Sequence, residues 1–232
     1  MALGLFRPET LPAPQVLRQR HLALVLVDEC LGGQRSDTRC FRVQVSSAGG
    51  ELLLYENGSG DEYGLVLDGN DAVLWFFDHE CPYSPWALEG EPRDWPGMLA
   101  GLPPRLAAHL PAPEYGPRSI SACYWHTNGQ WHMGTPEPAT DAPAPLLSDP
   151  QGVGDLIKPL LDVDAPTVAL LVVDYHEAPD RLDAATDLIQ LVESGSPVTA
   201  AALDPIRPVD GVAAMVQRSQ AITGDSPPPP LQ

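Results

Sequence analysis

The chain has 232 residues, enough for one large domain or two small ones with a buried core. Its formal net charge of −18 would repel a phosphate backbone, so direct nucleic-acid binding is not expected. Its 27 prolines predict many connections, truncated helices and a partly irregular chain.

The first residues, Met1 to Glu9, place a proline and an acid where the apolar core of a leader would sit, so no secretory leader is expected. Pro12 and Pro14 then open a stretch in which Val16, Leu17, Ala23, Leu24, Val27, Cys30 and Leu31 recur at helical spacing. Gly32 and Gly33 stop it. The spacing predicts a first helix, although Leu22–Val27 alone is also compatible with a strand. That six-residue apolar run is far shorter than the roughly 20 residues needed to span a bilayer, and no membrane insertion is expected.

Phe41, Val43 and Val45 alternate with polar residues, the pattern of a strand with one buried face. Turns rich in Gly, Asn and Asp separate three further runs, Glu51–Tyr55, Tyr63–Leu67 and Ala72–Phe77. Asp68-Gly-Asn-Asp71 is the strongest hairpin signal. Ala72–Phe77 is apolar throughout, which predicts a central strand covered on both faces. Beyond it, repeated prolines leave room only for short helices near Pro96–Gly101 and Pro104–Leu110. Ile120–His126 and Gln130–Gly134 flank Asn128-Gly129, a second hairpin.

Residues 135–150 are rich in Pro and Ala and predict a loop between a β-rich front (1–134) and a helical back (151–222). Helical spacing recurs in Gly152–Leu161, Thr167–Tyr175, Leu182–Glu193, Thr199–Asp204 and Val209–Ile222, with Thr167–Val173 β-branched enough to be a strand instead. The Pro-rich tail, 223–232, is expected to be disordered. The fold class expected is α+β: an antiparallel meander sheet with helices packed on one face and a helical C-terminal part, in a single domain over 1–222.

Charge is placed unevenly. Residues 1–50 carry six arginines against four acids, whereas Glu51 to Pro92 hold ten acids and no Lys or Arg. Such a surface would attract and steer a basic protein partner; Glu56, Asp61, Glu62 and Asp71 are the candidate contacts, with Trp86 as an interface anchor. Solubility alone would also explain an acidic face. The four cysteines show no CxxC spacing and are expected to be reduced thiols of a cytoplasmic protein.

The densest polar cluster is Asp78-His79-Glu80-Cys81, with Ser84 close behind. A zinc site needs three or four ligands, so His79 and Cys81 would need help from His126 or His132. The Asn128-Gly129 turn pairs His126 with Trp131 and His132 with Trp125, which puts the two histidines on opposite faces of the sheet. Cys81 as a nucleophile lacks a third group to orient a base, and Pro82 denies it an oxyanion amide. Gly58-Ser59-Gly60 is not a G-x-S-x-G elbow, and the Asp68–Asp71 turn is too short for an EF-hand loop. A structural role accounts for the cluster: Asp78 and Ser84 satisfy turn amides while Tyr83 and Trp86 fold back over the sheet. No catalytic residue, metal or cofactor is assigned.

Glu56-Asn-Gly-Ser-Gly-Asp61 followed by Phe77-Asp-His-Glu-Cys-Pro-Tyr-Ser-Pro85 resembles an uncharacterised bacterial protein group with an NGSGD…GFDHES-x-SP pattern. Trp125, Trp131-His-Met-Gly134, Asp149-Pro-Gln-Gly152 and Asp174-Tyr-His-Glu177 extend the likeness over roughly residues 52 to 206. The chain departs from the pattern at Phe76, where it prefers Gly, and at Cys81, where it prefers Ser. Some members of the group look like small proteins encoded beside bacterial toxins. The resemblance therefore implies an immunity-type protein that neutralises a basic toxin domain. The alternative from the residues is a metal-dependent hydrolase using His79 with other His, Asp or Glu side chains.

Overall fold

A computed structural model describes residues 6–32, 40–87, 92–112, 119–138, 149, 151–161 and 164–206. The fold is α+β. Six strands, β1 (Phe41–Val45), β2 (Glu51–Glu56), β3 (Glu62–Asp68), β4 (Asp71–Phe77), β5 (Ala122–Thr127) and β6 (Gln130–Met133), lie in chain order in one antiparallel meander that does not close into a barrel. Six helices accompany them among the described residues: α1 (Pro14–Gly32), α2 (Pro104–Ala107), α3 (Val153–Leu161), α4 (Ala165–Tyr175), α5 (Leu182–Glu193) and α6 (Ala200–Leu203). Among the described residues no helix is long and apolar enough to cross a membrane.

Local chemistry explains most of these elements. Helix α1 takes the whole ambiguous Leu22–Val27 run, and every residue of it is buried. A helix apolar on all sides is a core element. The β-branched stretch Thr167–Val173 is likewise helical, as part of α4. Helix α3 starts where Asp149 accepts from the Val153 and Gly154 amides through Oδ1 and Oδ2 (3.2 and 2.6 Å), an N-terminal cap. Pro96–Gly101 is a correction: it forms consecutive turns, not a helix, because Gly97 and Gly101 adopt positive φ. The expected Val209–Ile222 helix and the Pro-rich tail lie outside the described residues, as does most of 135–150.

Contacts group the chain into two compact units, 1–14 with 44–158, and 15–43 with 159–232. In the first, β4 is buried from Ala72 to Phe77, and the two faces of the sheet carry different cores. One face holds a relay of rings, Tyr55, Tyr63, Phe76, Tyr124 and Phe6, with successive centroids 5.3–6.1 Å apart. The other holds Leu54, Val66, Val73, Trp75, Cys123 and Trp125, covered by Cys81, Tyr83, Trp95, Met98, Leu106 and Leu110 from the Pro-rich excursion after β4. Gly64 opposite Trp75 makes this packing possible: a Cβ there would lie 2.4–2.6 Å from the indole.

In the second unit, α1 is joined to the C-terminal helices by polar contacts. Gln19 donates to the Val192 and Glu193 carbonyls at the end of α5, and Arg20 donates to Leu160 O. Asp28, fully buried, accepts from the Phe41 amide (2.7 Å) and from His176 Nε2 (2.5 Å). A single carboxylate thus ties α1 to the start of β1 and to the end of α4.

Candidate functional site

The antiparallel register places the 57–61 turn and the 78–80 strand exit side by side at one end of the sheet. Glu56 pairs with Glu62, and Glu62 with Phe77. The turn is held by Asn57, whose Oδ1 accepts from the Ser59 and Asp61 amides (2.8 and 3.2 Å) and whose Nδ2 donates to Asp61 Oδ2 (2.8 Å). This aims Asp61 at the strand exit. There its Oδ1 accepts from both the His79 amide (3.1 Å) and His79 Nδ1 (2.6 Å).

Asp78 is held from the other side. Its amide donates to Ser121 Oγ (3.2 Å) and its Oδ1 accepts from the Glu80 amide (2.8 Å). Gly152 lies against it so tightly that a Cβ would fall 2.3 Å from Asp78 Cβ and Oδ2. Ser84, buried, accepts from the Trp86 amide at 3.4 Å; Tyr83 stacks edge-on with Trp95 in the core, and Trp86 covers Phe77 with centroids 5.4 Å apart. Glu80 stays exposed, 3.9 Å from His79 Nε2.

These surroundings shift the three ionisable groups in different directions. Burial works against the Asp61 carboxylate, but hydrogen bonds from the His79 ring, Asn57 and the His79 amide outweigh it and hold its carboxyl below the usual value. Burial pushes the Asp78 carboxyl up, only partly countered by the Glu80 amide. The hydrogen bond to Asp61 raises the His79 imidazole above its usual value. Burial pushes the Cys81 thiol up to about 12, so its thiolate, the form a nucleophile or a metal ligand needs, is disfavoured. All four cysteines are free and buried.

The structure sorts the candidates named from sequence. Glu56, Asp61, Glu62, Asp78, His79, Glu80 and Trp86 gather at this one end. Asp71 does not: it pairs with Asp68 at the opposite end of β3, roughly 20 Å away at about 3.3 Å per residue. Both of these acids are bridged by Arg105, through Nη1 to Asp68 (2.8 Å) and through Nη2 to Asp71. The residues 51–92 therefore carry no cation of their own, yet two of their acids receive one from α2. His126 and His132 pair with Trp131 and Trp125 and so face opposite sides, in the expected register. His126 sits opposite Ala72, again at the far end from His79.

A different metal-ligand set emerges from the fold. Asp61, Asp78 and His79 each offer a ligand atom, all within 4.8 Å of one another. Asp61 was legible as a turn acid and Asp78 as a strand-exit cap, but no local spacing announces that the two converge. Gly152, from a segment more than 70 residues on, carried no signal toward Asp78 beyond its membership of the Asp149–Gly152 motif. As placed, His79 Nδ1 and Asp61 Oδ1 are too close for both to ligate one ion; donors around a tetrahedral zinc stand roughly 3.3 Å apart given bonds near 2.0–2.1 Å. An ion held through these two atoms would require that hydrogen bond to open.

Comparison with known proteins leaves the geometry to speak alone: no family model matches the chain, and no curated protein or solved structure matches it.

Proposed function

We propose that the protein is a cytoplasmic, non-enzymatic binding module that docks a basic protein partner at the acidic end of its sheet. One observation carries the reading. Trp86 is 51% exposed, seated on Phe77, and Phe77 is the cross-strand partner of Glu62. A half-exposed tryptophan at the acidic end of the sheet has the anatomy of an interface hot spot, an aromatic anchor near charges that select a partner of opposite sign. Four free thiols suit a reducing compartment and support the cytoplasmic assignment. The partner class we propose is a basic toxin domain, which makes the protein an immunity-type neutraliser; this rests on the resemblance described above.

The test is affinity purification of the tagged chain from its own cell, with variants at both ends of the sheet. Trp86→Ala and Glu62→Lys/Glu80→Lys should each lose the co-purifying partner, Trp86→Ala weakening binding by about 2 kcal/mol or more. Asp71→Asn, at the Arg105 end, should retain it. A partner set unchanged by Trp86→Ala and by the charge reversals would end this reading.

A second reading, a metal-dependent hydrolase, is favoured by the convergence of Asp61, Asp78 and His79. It requires that the purified protein bind a transition metal and that Asp78→Asn abolish binding in a calorimetric zinc titration. A flat titration for the unmodified protein would remove it.

A further inference from the structure

Within the first unit, the stretch before α1 lies against the sheet as a strap. Residues 6–12 hold one 3-10 turn, Pro8–Thr10, and Arg7, Glu9 and Thr10 are exposed. Leu11 is the one buried side chain of the strap. Among the described residues two hydrogen bonds tie it to the sheet: Tyr124 Oη donates to Phe6 O (3.2 Å), and Trp131 Nε1 donates to Pro12 O (2.7 Å). A segment held by so few buried contacts belongs to the low-stability end of a structure and opens ahead of the core.

Phe6 meets Tyr124 twice, with its ring edge-on (centroids 6.1 Å apart, 84°) and with its carbonyl on the phenol. The same hydroxyl also reaches Gln151 Oε1 (3.1 Å). A phenol has one hydrogen, so it cannot fully serve both acceptors. Gln151 is 1% exposed and is anchored through its main-chain oxygen, which accepts from Ser121 Oγ (2.8 Å). Its Nε2 is buried and has no partner among the described residues. A buried polar group in that condition calls for an explanation, and a ligand is one. The Gln151 side chain offers an acceptor and a donor side by side, and their complement is a second primary amide: its oxygen accepts from Nε2 while its N–H donates to Oε1. Burial, and after it the Asp149 carboxylate, push the Tyr124 phenol up, so the hydroxyl stays a donor, and the same carboxylate disfavours an anionic ligand. We propose that Phe6 is an internal stand-in for a small neutral aromatic primary amide, which binds when the strap lifts, its ring replacing that of Phe6 on Tyr124 and its amide pairing with Gln151.

Phenylacetamide is the probe, and toluene is the control that has the ring without the amide. An apolar hollow by itself takes up any aromatic molecule of matching size, so the preference between the two is the informative quantity. In an NMR titration of full-length Phe6→Ala, phenylacetamide should bind about tenfold tighter than toluene or better, the yield of two added hydrogen bonds. Adding Gln151→Leu should erase that preference. A second measurement uses the unmodified chain and stands even if Phe6→Ala fails to fold. Glutamyl endopeptidase cleavage after Glu9, read by mass spectrometry as release of residues 1–9, should be slow. Saturating phenylacetamide should speed it about threefold or more, because a ligand that binds only the strap-open form raises its population. Equal affinities for the amide and toluene, or a preference that survives Gln151→Leu, would overturn the proposal. So would a cleavage rate after Glu9 that phenylacetamide leaves unchanged.

Discussion

Two histidine–carboxylate pairs of nearly equal length stand in opposite surroundings. At the end of the sheet His79 and Asp61 are 2.6 Å apart with side chains 45% and 17% exposed; in the helical unit His176 and Asp28 are 2.5 Å apart and 9% and 0% exposed. Geometry alone would rank them as equals. Their environments separate them, because water competes for the first pair and screens it, whereas the second has no solvent to fall back on. The exposed pair can exchange partners, and with Asp78 beside it could turn toward an ion or toward a partner's cation. The buried pair is fixed, since Asp28 has spent its second oxygen on the Phe41 amide. A contact of this kind is suited to holding α1, β1 and α4 in register.

The largest expected effect follows directly. Asp28→Ala or His176→Ala should each cost about 3–5 kcal/mol, because each strands a buried polar partner. That is a large share of the 5–15 kcal/mol that holds a typical domain together. Urea denaturation followed by circular dichroism would measure it. A loss below about 1 kcal/mol for both variants would mean the pair is solvated in solution and that the contrast with the sheet end is false.

The buried pair also marks where sequence reasoning stops. The strands, both hairpins and most helices were legible because each depends on local features: alternation, Gly-bearing turns, and Pro near helix starts. The histidine faces were legible for the same reason, since the Asn128-Gly129 turn fixes the β5–β6 register. The pairing of Asp28 with His176, 148 residues apart, depends on tertiary packing that no local pattern encodes. Arg105 is the instructive case at the surface. Sequence counting made residues 51–92 a cation-free acidic stretch, and only the fold shows that α2 returns an arginine to Asp68 and Asp71. Asp61 and Asp78 lie between these extremes. Each was recognisable as a turn or strand-exit residue, but their convergence depends on the β3–β4 register and on Gly152 pressing from a third segment.

Gly152 gives an intermediate effect and sharpens the contrast from the sheet side. It adopts φ of +66° and leaves no room for a Cβ beside Asp78. Gly152→Ala should cost about 1–3 kcal/mol through backbone strain and displacement of the Asp78 carboxylate. Gly69, also at positive φ (+63°) but with open space where its Cβ would go, is the control that carries strain without collision. If alanine at 152 costs no more than alanine at 69 in the same urea titration, then Asp78 is not gripped, and the strand exit is softer than its hydrogen bonds suggest.

The smallest effect belongs to the exposed pair, and its signature is in protonation more than in stability. The contact with Asp61 raises the His79 folded-state pKa above 6.5, so what it contributes is fully present below pH 6.5 and is lost as pH rises through the folded value. The Asp61 carboxyl is held below 3.8, so its contribution is present above that pH and is lost as pH falls through its own folded value. The pair is therefore at full strength between about pH 3.8 and 6.5. An NMR titration of the His79 ring should give a midpoint above 6.5, and Asp61→Asn should lower it, while the melting temperature moves little in either case. A midpoint at or below 6.5 in the unmodified protein would show that solvent has already broken the contact. It would then leave His79 Nδ1 and Asp61 Oδ1 free to separate to metal-ligand distance, and the balance between the two functional readings would shift toward the metal.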